Sequence, residues 1–158
     1  MGCKNVMVYV ETAEGKPVNV GLEMLTAAKE IAEKVTAVVI GAADAAATTI
    51  ACGADEAITV DAAEYNTEAY AAIVAELVKK YAPDMLFVGA TANGKDLGAR
   101  VAAALKAGCV TDVNWGITLL EACAKSSNNK ARFELAKLYY FGKSRSLCKH
   151  QHRGGQHP

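Results

Sequence analysis

Five short apolar runs, separated by longer amphipathic segments, dominate the first 113 residues of this 158-residue chain. The runs are rich in Val and Ile and almost continuously apolar, a pattern typical of strands that are covered on both faces. They lie at residues 5–11, 36–40, 56–60, 85–88 and 109–113. Because strands and helical segments alternate, right-handed crossovers predict a parallel sheet with helices on both faces.

Four helices are predicted between these runs, since apolar residues recur three or four positions apart or Ala is abundant. The first three are expected at residues 19–35, 44–51 and 67–81, and the apolar positions from 97 to 105 mark the fourth. Thr67 is expected to cap the third helix, and Gly108 to end the fourth. The chain is therefore predicted to form a three-layer α/β fold with a doubly wound parallel sheet in the strand order 3-2-1-4-5.

The charge balance changes near residue 113, although the whole chain has a net charge of zero. Residues 1–113 carry nine Lys and Arg against fifteen Asp and Glu, whereas residues 114–158 carry eight against two. Such a change predicts a boundary between an α/β domain at 1–113 and a divergent, partly disordered basic tail at 114–158. Within the tail, residues 133–141 are compatible with a helix or a strand. No helical or aromatic pattern accompanies the basic residues, so we expect no nucleic-acid partner.

The chain has no feature of a membrane or secreted protein. No apolar run approaches the roughly 20 residues that a spanning helix needs, and the N-terminus lacks a basic stretch followed by an apolar one. The five cysteines are an odd number without a CxxC pair. We therefore expect reduced thiols, a cytoplasmic location and no membrane insertion.

The segment GATANGKD, at residues 89–96, differs by one residue from the phosphate-binding pattern GxxxxGK[ST]. Asp96 stands where that pattern requires a hydroxyl for Mg²⁺, which argues against Walker-type chemistry. In the 3-2-1-4-5 order, this loop and the loop at 12–20 flank the reversal of strand order, where α/β sheets bind ligands. The residues that are candidates for a weaker nucleotide-binding loop are Gly89, Thr91, Asn93, Gly94 and Lys95.

A purely structural role explains the same segment. Gly89 and Gly94 permit a tight turn from strand to helix. Asp96 is expected in the first helical turn, where a negative charge suits the helix dipole, and Arg100 is placed to pair with it.

Neither a catalytic residue nor a metal site is predicted. All three histidines lie in the tail, so no Ser-His-Asp arrangement can be assembled. The tail places Cys148, His150, His152 and His157 close together, but their spacing matches no common structural zinc site.

Three segments resemble the N-terminal domain of the electron transfer flavoprotein α subunit: NVMVYVETAEGKPVNVGLEMLTAAKEIA, VTAVVIGA…ACGADEAITVD and YAPDMLFVGATANGKDLGARVAAALKAGCVTDV. The resemblance covers about the first 113 residues. Its most specific markers are Gly89, Gly94, Asp96 and Arg100, whereas Lys95 stands where Arg is common in the family.

The resemblance implies a Rossmann-like fold similar to that of the adenine-nucleotide hydrolases. The family's heterodimer takes electrons from dehydrogenases, such as those of fatty-acid oxidation, and passes them on through FAD. The FAD-binding domain has no counterpart in this sequence. The resemblance therefore implies a truncated α subunit that binds no FAD tightly, has no catalytic residue of its own, and acts as a docking scaffold for the β subunit. The alternative is a stand-alone adenine-nucleotide-binding module.

Beyond Asn114 the sequence departs from the family. The codons of LCKHQHR, at residues 147–153, can be translated in a reading frame that starts one base later. This gives Ala or Val followed by alternating Asn/Ser and Ile/Thr, which resembles the strand-like sequence of the family in this region. The tail is thus expected either to be out of frame or to belong to a naturally short paralogue.

Overall fold

The computed structural model describes residues 3–62, 64–113 and 136–141, and the strands and helices lie within these ranges. The strands are β1 Cys3–Val10, β2 Thr12–Ala13, β3 Lys16–Pro17, β4 Ala32–Ile40, β5 Glu56–Val60, β6 Met85–Gly89, β7 Gly108–Val113 and β8 Ala136–Phe141. The helices are α1 Asn19–Ile31, α2 Ala45–Ala51, α3 Thr67–Tyr81 and α4 Ala92–Leu105. Apart from the small β2–β3 hairpin, the strands form one parallel sheet in the order β5-β4-β1-β6-β8-β7.

The central strand β1 is buried on both faces, as its continuous apolar run predicts. Val6 and Val8 pack into a core with α1 and α2, whereas Met7 and Tyr9 pack into a second core with α3 and α4. Alternate residues of a strand point to opposite faces, so one apolar run supplies both cores. The three-layer, doubly wound α/β fold predicted from the sequence is confirmed.

The strand order agrees with the prediction for four strands and differs at the end of the sheet. The predicted order 3-2-1-4 corresponds to β5-β4-β1-β6, which the structure contains. β7, the predicted fifth strand, does not lie beside β6, because β8 lies between them and pairs in parallel with both. The pairing of β8 joins residues far apart in sequence, so local periodicity could not reveal it. The domain boundary predicted at residue 113 stays a prediction.

The start of β4 differs from the predicted helix end. α1 ends at Ile31, and Ala32 is already extended, with φ −120° and ψ 146°. Val35 therefore lies in β4, fully buried and paired with Val6, rather than extending the stripe of α1. Val is β-branched and favours extended backbone, and strand pairing with full burial stabilises this conformation more than the helical one that the spacing predicted.

Two predicted helix ends also differ. Asn66, not Thr67, caps α3, since its Oδ1 accepts hydrogen bonds from the backbone N–H groups of Glu68 and Ala69. α4 ends at Leu105 with Lys106 in the left-handed conformation, at φ 51°, so Gly108 is the first residue of β7 instead of the end of the helix.

Candidate functional site

The candidate site lies at the carboxyl edge of the sheet, between the ends of β1 and β6. These strands are neighbours, and the chain leaves them toward opposite sides of the sheet. In open α/β sheets this is where ligands bind. The structure brings the two predicted loops together here, because Val20, at the end of the first loop, lies against Gly89. Glu11, directly before that loop, also contacts the start of α4.

Thr91 determines where α4 begins. Its Oγ1 accepts a hydrogen bond from Gly94 N at 2.9 Å, and its carbonyl accepts one from Lys95 N at 3.0 Å. α4 therefore starts at Ala92. The sequence analysis expected Asp96 in the first turn of this helix, but Asp96 is its fifth residue. The cap is a hydroxyl and not the carboxylate of Asp96.

Asp96 instead contributes to the surface between α4 and α3. Its Oδ1 accepts a hydrogen bond from Arg100 Nε at 3.2 Å, which is the pairing that the sequence predicted. Arg100 also lies 3.7 Å from Glu68 Oε1 on α3. All three side chains are about half exposed or more, so these pairs stabilise the fold only slightly.

Gly89 and Gly94 are required by close packing rather than by backbone conformation, because neither has a left-handed φ. A Cβ at Gly94 would lie 1.9 Å from the carbonyl oxygen of Gly89. A Cβ at Gly89 would lie 2.8 Å from Cγ1 of Val20 on α1. The first turn of α4 thus rests directly on the end of β6.

Glu11 occupies the crevice between the two loops, and it was missed by the sequence reasoning. Its half-buried carboxylate accepts a hydrogen bond from the Thr91 hydroxyl and another, at 3.1 Å, from Asn93 Nδ2. We call Glu11, Thr91 and Asn93 the Glu11 cluster. An acidic residue directly after a buried strand next to the reversal of strand order was the available signal.

A chain of hydrogen bonds continues from the Glu11 cluster to α3. The Tyr65 hydroxyl donates to the carbonyl oxygen of Asn93 at 3.2 Å and accepts from Thr67 Oγ1 at 3.1 Å. The Tyr65 ring meets the Tyr70 ring edge-on, with centroids 4.9 Å apart. The end of β1 and the starts of α4 and α3 are therefore tied together across the mouth of the crevice.

Tyr9 lies buried beneath this edge, and its phenol remains protonated. Burial raises the pKa of Tyr9 far above its usual range, and the nearby charge of Glu11 raises it further. Burial likewise raises the pKa of Tyr70, with a smaller contribution from Tyr65. Both phenols are thus neutral, whereas the nearby Glu11 contributes a negative charge.

The predicted nucleotide-loop residues lie close together, with Gly89 at the end of β6 and the other four at the start of α4, but donors of three of them are already engaged. Thr91 and Asn93 direct their side-chain donors to Glu11, while Gly94 N–H bonds to Thr91. Lys95 is exposed on the same turn. The arrangement presents a carboxylate where a phosphate-binding loop presents free donors.

Within residues 3–62, 64–113 and 136–141, the structure contains no group of three or more His, Cys, Asp or Glu side chains placed to hold a metal ion. The tail cluster of Cys148, His150, His152 and His157 lies outside the described residues. None of the helices in the described part combines the length and the apolar character that crossing a bilayer requires.

The family model described as "Electron transfer flavoprotein domain" matches residues 6–122, which include the Glu11 cluster and the GATANGKD turn. The chain belongs to the electron transfer flavoprotein family. This confirms the resemblance on which the sequence prediction rested, and the matched range continues past residue 113.

Several curated relatives are α subunits of electron transfer flavoproteins. The chain is 37% identical over 118 residues to the electron transfer flavoprotein subunit alpha of Clostridium acetobutylicum, covering 69% of this chain and 35% of that protein. It is 38% identical over 117 residues to Protein FixB of Clostridium saccharobutylicum, covering 69% and 35%. It is 31% identical over 118 residues to the acryloyl-CoA reductase electron transfer subunit beta of Anaerotignum propionicum, covering 69% and 32%. The chain spans about a third of the length of these electron transfer flavoprotein relatives.

Proposed function

We propose that this chain is the docking domain of an electron transfer flavoprotein α subunit. In this role it binds a β subunit and supports a cytoplasmic heterodimer that carries electrons from dehydrogenases through FAD. The observation that carries the proposal is the similarity to α subunits, which runs through β1, β4, β5, β6, β7 and all four helices. The proposal assigns the chain a binding role and no catalytic residue.

The described residues suit a rigid scaffold. Both faces of the sheet are covered by helices, and Val6, Val8 and Phe87 are fully buried. Burying side chains of this size contributes about 1.5–3 kcal/mol each. Such a core holds a docking surface in one conformation, which lowers the entropy cost of association.

The crevice at the carboxyl edge does not fit the pyrophosphate of FAD. A pyrophosphate needs N–H donors or cations. Lys95 supplies a cation on this turn, but the backbone N–H groups of Gly94 and Lys95 are already bonded to Thr91. The carboxylate of Glu11 lies beside the same turn and repels an anion. We therefore place the FAD of the proposed heterodimer outside this crevice.

A stand-alone adenine-nucleotide-binding module is the second candidate. It is favoured by the glycine-rich turn at the reversal of strand order, the position at which such folds hold nucleotides. It is disfavoured by the Glu11 carboxylate. The two candidates differ in what they bind, so binding experiments separate them.

Co-purification tests the proposal directly. The chain would be co-expressed with the electron transfer flavoprotein β subunit of its own genome, and the complex analysed by size-exclusion chromatography with light scattering. We expect a 1:1 complex, and chain purified alone without stoichiometric flavin absorbance near 450 nm. Another folded α/β protein of similar size, put in place of the chain, serves as the control.

Two results would contradict the docking proposal. One is the absence of a complex when both proteins are folded. The other is a stoichiometric yellow flavin bound to the chain alone. Stabilisation of the isolated chain by several degrees with AMP or ATP would instead favour the nucleotide-binding module.

A further inference from the structure

The Glu11 cluster joins three elements that a ligand entering the crevice would have to separate. Glu11 follows β1, Thr91 and Asn93 begin α4, and the Tyr65 hydroxyl connects Asn93 to the start of α3. The backbone is fixed at the same place, because Val18 N–H donates to the Glu11 carbonyl at 2.8 Å. The cluster therefore closes the crevice from both sides.

The contact of Glu11 with the start of α4 resembles an anion-binding site that the Glu11 carboxylate already occupies. The start of a helix favours negative charge, and hydroxyl and amide donors near it bind carboxylates as they bind phosphates. Here the carboxylate belongs to the chain itself. It accepts from Thr91 and Asn93, two of the residues that the sequence marked as candidate nucleotide ligands.

We propose that Glu11 is a specificity-determining residue that excludes nucleotide phosphates from the crevice at the ends of β1 and β6. Its carboxylate takes the side-chain donors of Thr91 and Asn93 and leaves a negative charge beside the first turn of α4. A nucleotide phosphate entering the crevice must displace that carboxylate and tolerate its charge. This inference does not depend on docking to a β subunit.

Close packing alone does not account for the exclusion. The contact between Gly94 and the Gly89 carbonyl determines how near α4 lies to β6. Thr91 Oγ1 also lies close to Gly94, but neither Glu11 nor Asn93 Nδ2 is among the three atoms that a Cβ at Gly94 would meet first. Removing the carboxylate therefore frees those two donors without changing the glycine contact. Substitution at Glu11 thus isolates the effect of the carboxylate.

The test compares Glu11→Ala and Glu11→Gln with the unaltered chain and with Glu14→Gln. Glu11→Ala removes both the charge and the acceptor, whereas Glu11→Gln keeps the shape and one acceptor oxygen. Glu14 is exposed in the turn of the β2–β3 hairpin, so Glu14→Gln removes the same charge three positions away. Binding of AMP, ATP and inorganic phosphate would be measured by calorimetry, and amide hydrogen exchange would be followed at residues 91–95.

We expect no measurable nucleotide binding by the unaltered chain or by Glu14→Gln. Both Glu11 variants should bind AMP and ATP with a Kd at least roughly ten-fold lower than the weakest Kd that the calorimeter can detect. Hydrogen exchange at residues 91–95 should increase in Glu11→Ala and stay unchanged in the buried strands. If Glu11→Ala does not fold, Glu11→Gln decides the question.

Three results would overturn the proposal. The first is nucleotide binding by the unaltered chain that is as tight as in the Glu11 variants. The second is a folded Glu11 variant that binds neither AMP, ATP nor inorganic phosphate. The third is an equal gain of binding in Glu14→Gln, which would reduce the effect to net charge.

Discussion

The two edges of the sheet use carboxylates in different ways. At the amino edge, Asp55 pairs with Lys29, and Glu56 Oε2 lies 2.6 Å from Lys34 Nζ. At the carboxyl edge, the carboxylate of Glu11 is held by a hydroxyl and an amide, which are neutral donors. Asp55 and Glu56 at the amino edge thus lie against lysines, whereas Glu11 presents its carboxylate where α/β folds bind ligands.

Carboxylates at the amino edge stabilise the fold, whereas the carboxylate at the carboxyl edge affects which ligands can bind. At the amino edge, Asp55 Oδ2 accepts from Val35 N at 2.8 Å, and Asp84 Oδ2 accepts from Lys4 N at 2.8 Å and from Asn5 N at 3.1 Å. These bonds satisfy N–H groups near the beginnings of strands. Glu11 instead ties loops together and sets the sign of the charge in the crevice. Substitutions at the two edges should therefore have different consequences.

The largest effect is expected at the carboxyl edge from Gly94→Ala. The added Cβ would lie 1.9 Å from the Gly89 carbonyl oxygen, so α4 must shift, at a cost of about 3 kcal/mol. Urea unfolding followed by circular dichroism measures the change. Ala99→Ser, on the exposed face of α4, is the control and should stay within about 0.5 kcal/mol. A loss from Gly94→Ala no larger than that of the control would show that the close approach is absent.

At the amino edge, Asp84→Ala should cost about 2 kcal/mol. It removes the charged acceptor for the backbone N–H groups of exposed Lys4 and half-buried Asn5, and hydrogen bonds to charged groups contribute more than those to neutral ones. The same urea experiment measures it. Asp61→Asn, at an exposed position, is the control. If Asp84→Ala changed nucleotide binding and left stability unaltered, the contrast between the edges would be wrong.

Asp55 should make stability depend on acidic pH. The hydrogen bond from Lys29, and then that from Val35 N–H, holds the pKa of Asp55 below its usual range. A lowered carboxylate pKa contributes stability above the unfolded value of about 3.9, and this is lost as the pH falls through the folded value. Asp55→Asn should therefore be less stable than the unaltered chain at pH 6, with a smaller difference at pH 3. Urea midpoints at both pH values check this, and a difference that grows at pH 3 would contradict it.

The smallest effect is expected from Arg100→Ala. Arg100 contacts Asp96 and Glu68 on the exposed surface between α4 and α3, where ion pairs contribute at most about 0.5 kcal/mol. Thermal unfolding at low and at 0.5 M salt would measure it. A large loss that persists in high salt would mean that Arg100 stabilises the packing of α3 on α4 by more than its charge.

Local patterns predicted most of the elements, because buried strands and amphipathic helices have distinct periods. Asn66 and Thr67 are both capping residues, and sequence alone did not distinguish them. Val35 fits a helical stripe as well as a strand, and its pairing with Val6 decides between them. The insertion of β8 beside β6 depends on long-range pairing that no local pattern contains.

The candidate site was predictable in position and not in chemistry. The strand order placed the loops after β1 and β6 together, and the structure agrees. The contact between Glu11 and Thr91 joins residues 80 positions apart, so no spacing rule identifies it. The sequence therefore indicated where a ligand would enter, and the structure indicated a carboxylate already there.

The central claim, docking to a β subunit without a nucleotide in the crevice, is tested most directly by isothermal titration calorimetry. Purified β subunit would be titrated into this chain with and without AMP or ATP. The account predicts saturable 1:1 binding whose affinity does not change when the nucleotide is added. No binding of the β subunit, together with saturable binding of AMP or ATP to the chain alone, would contradict it.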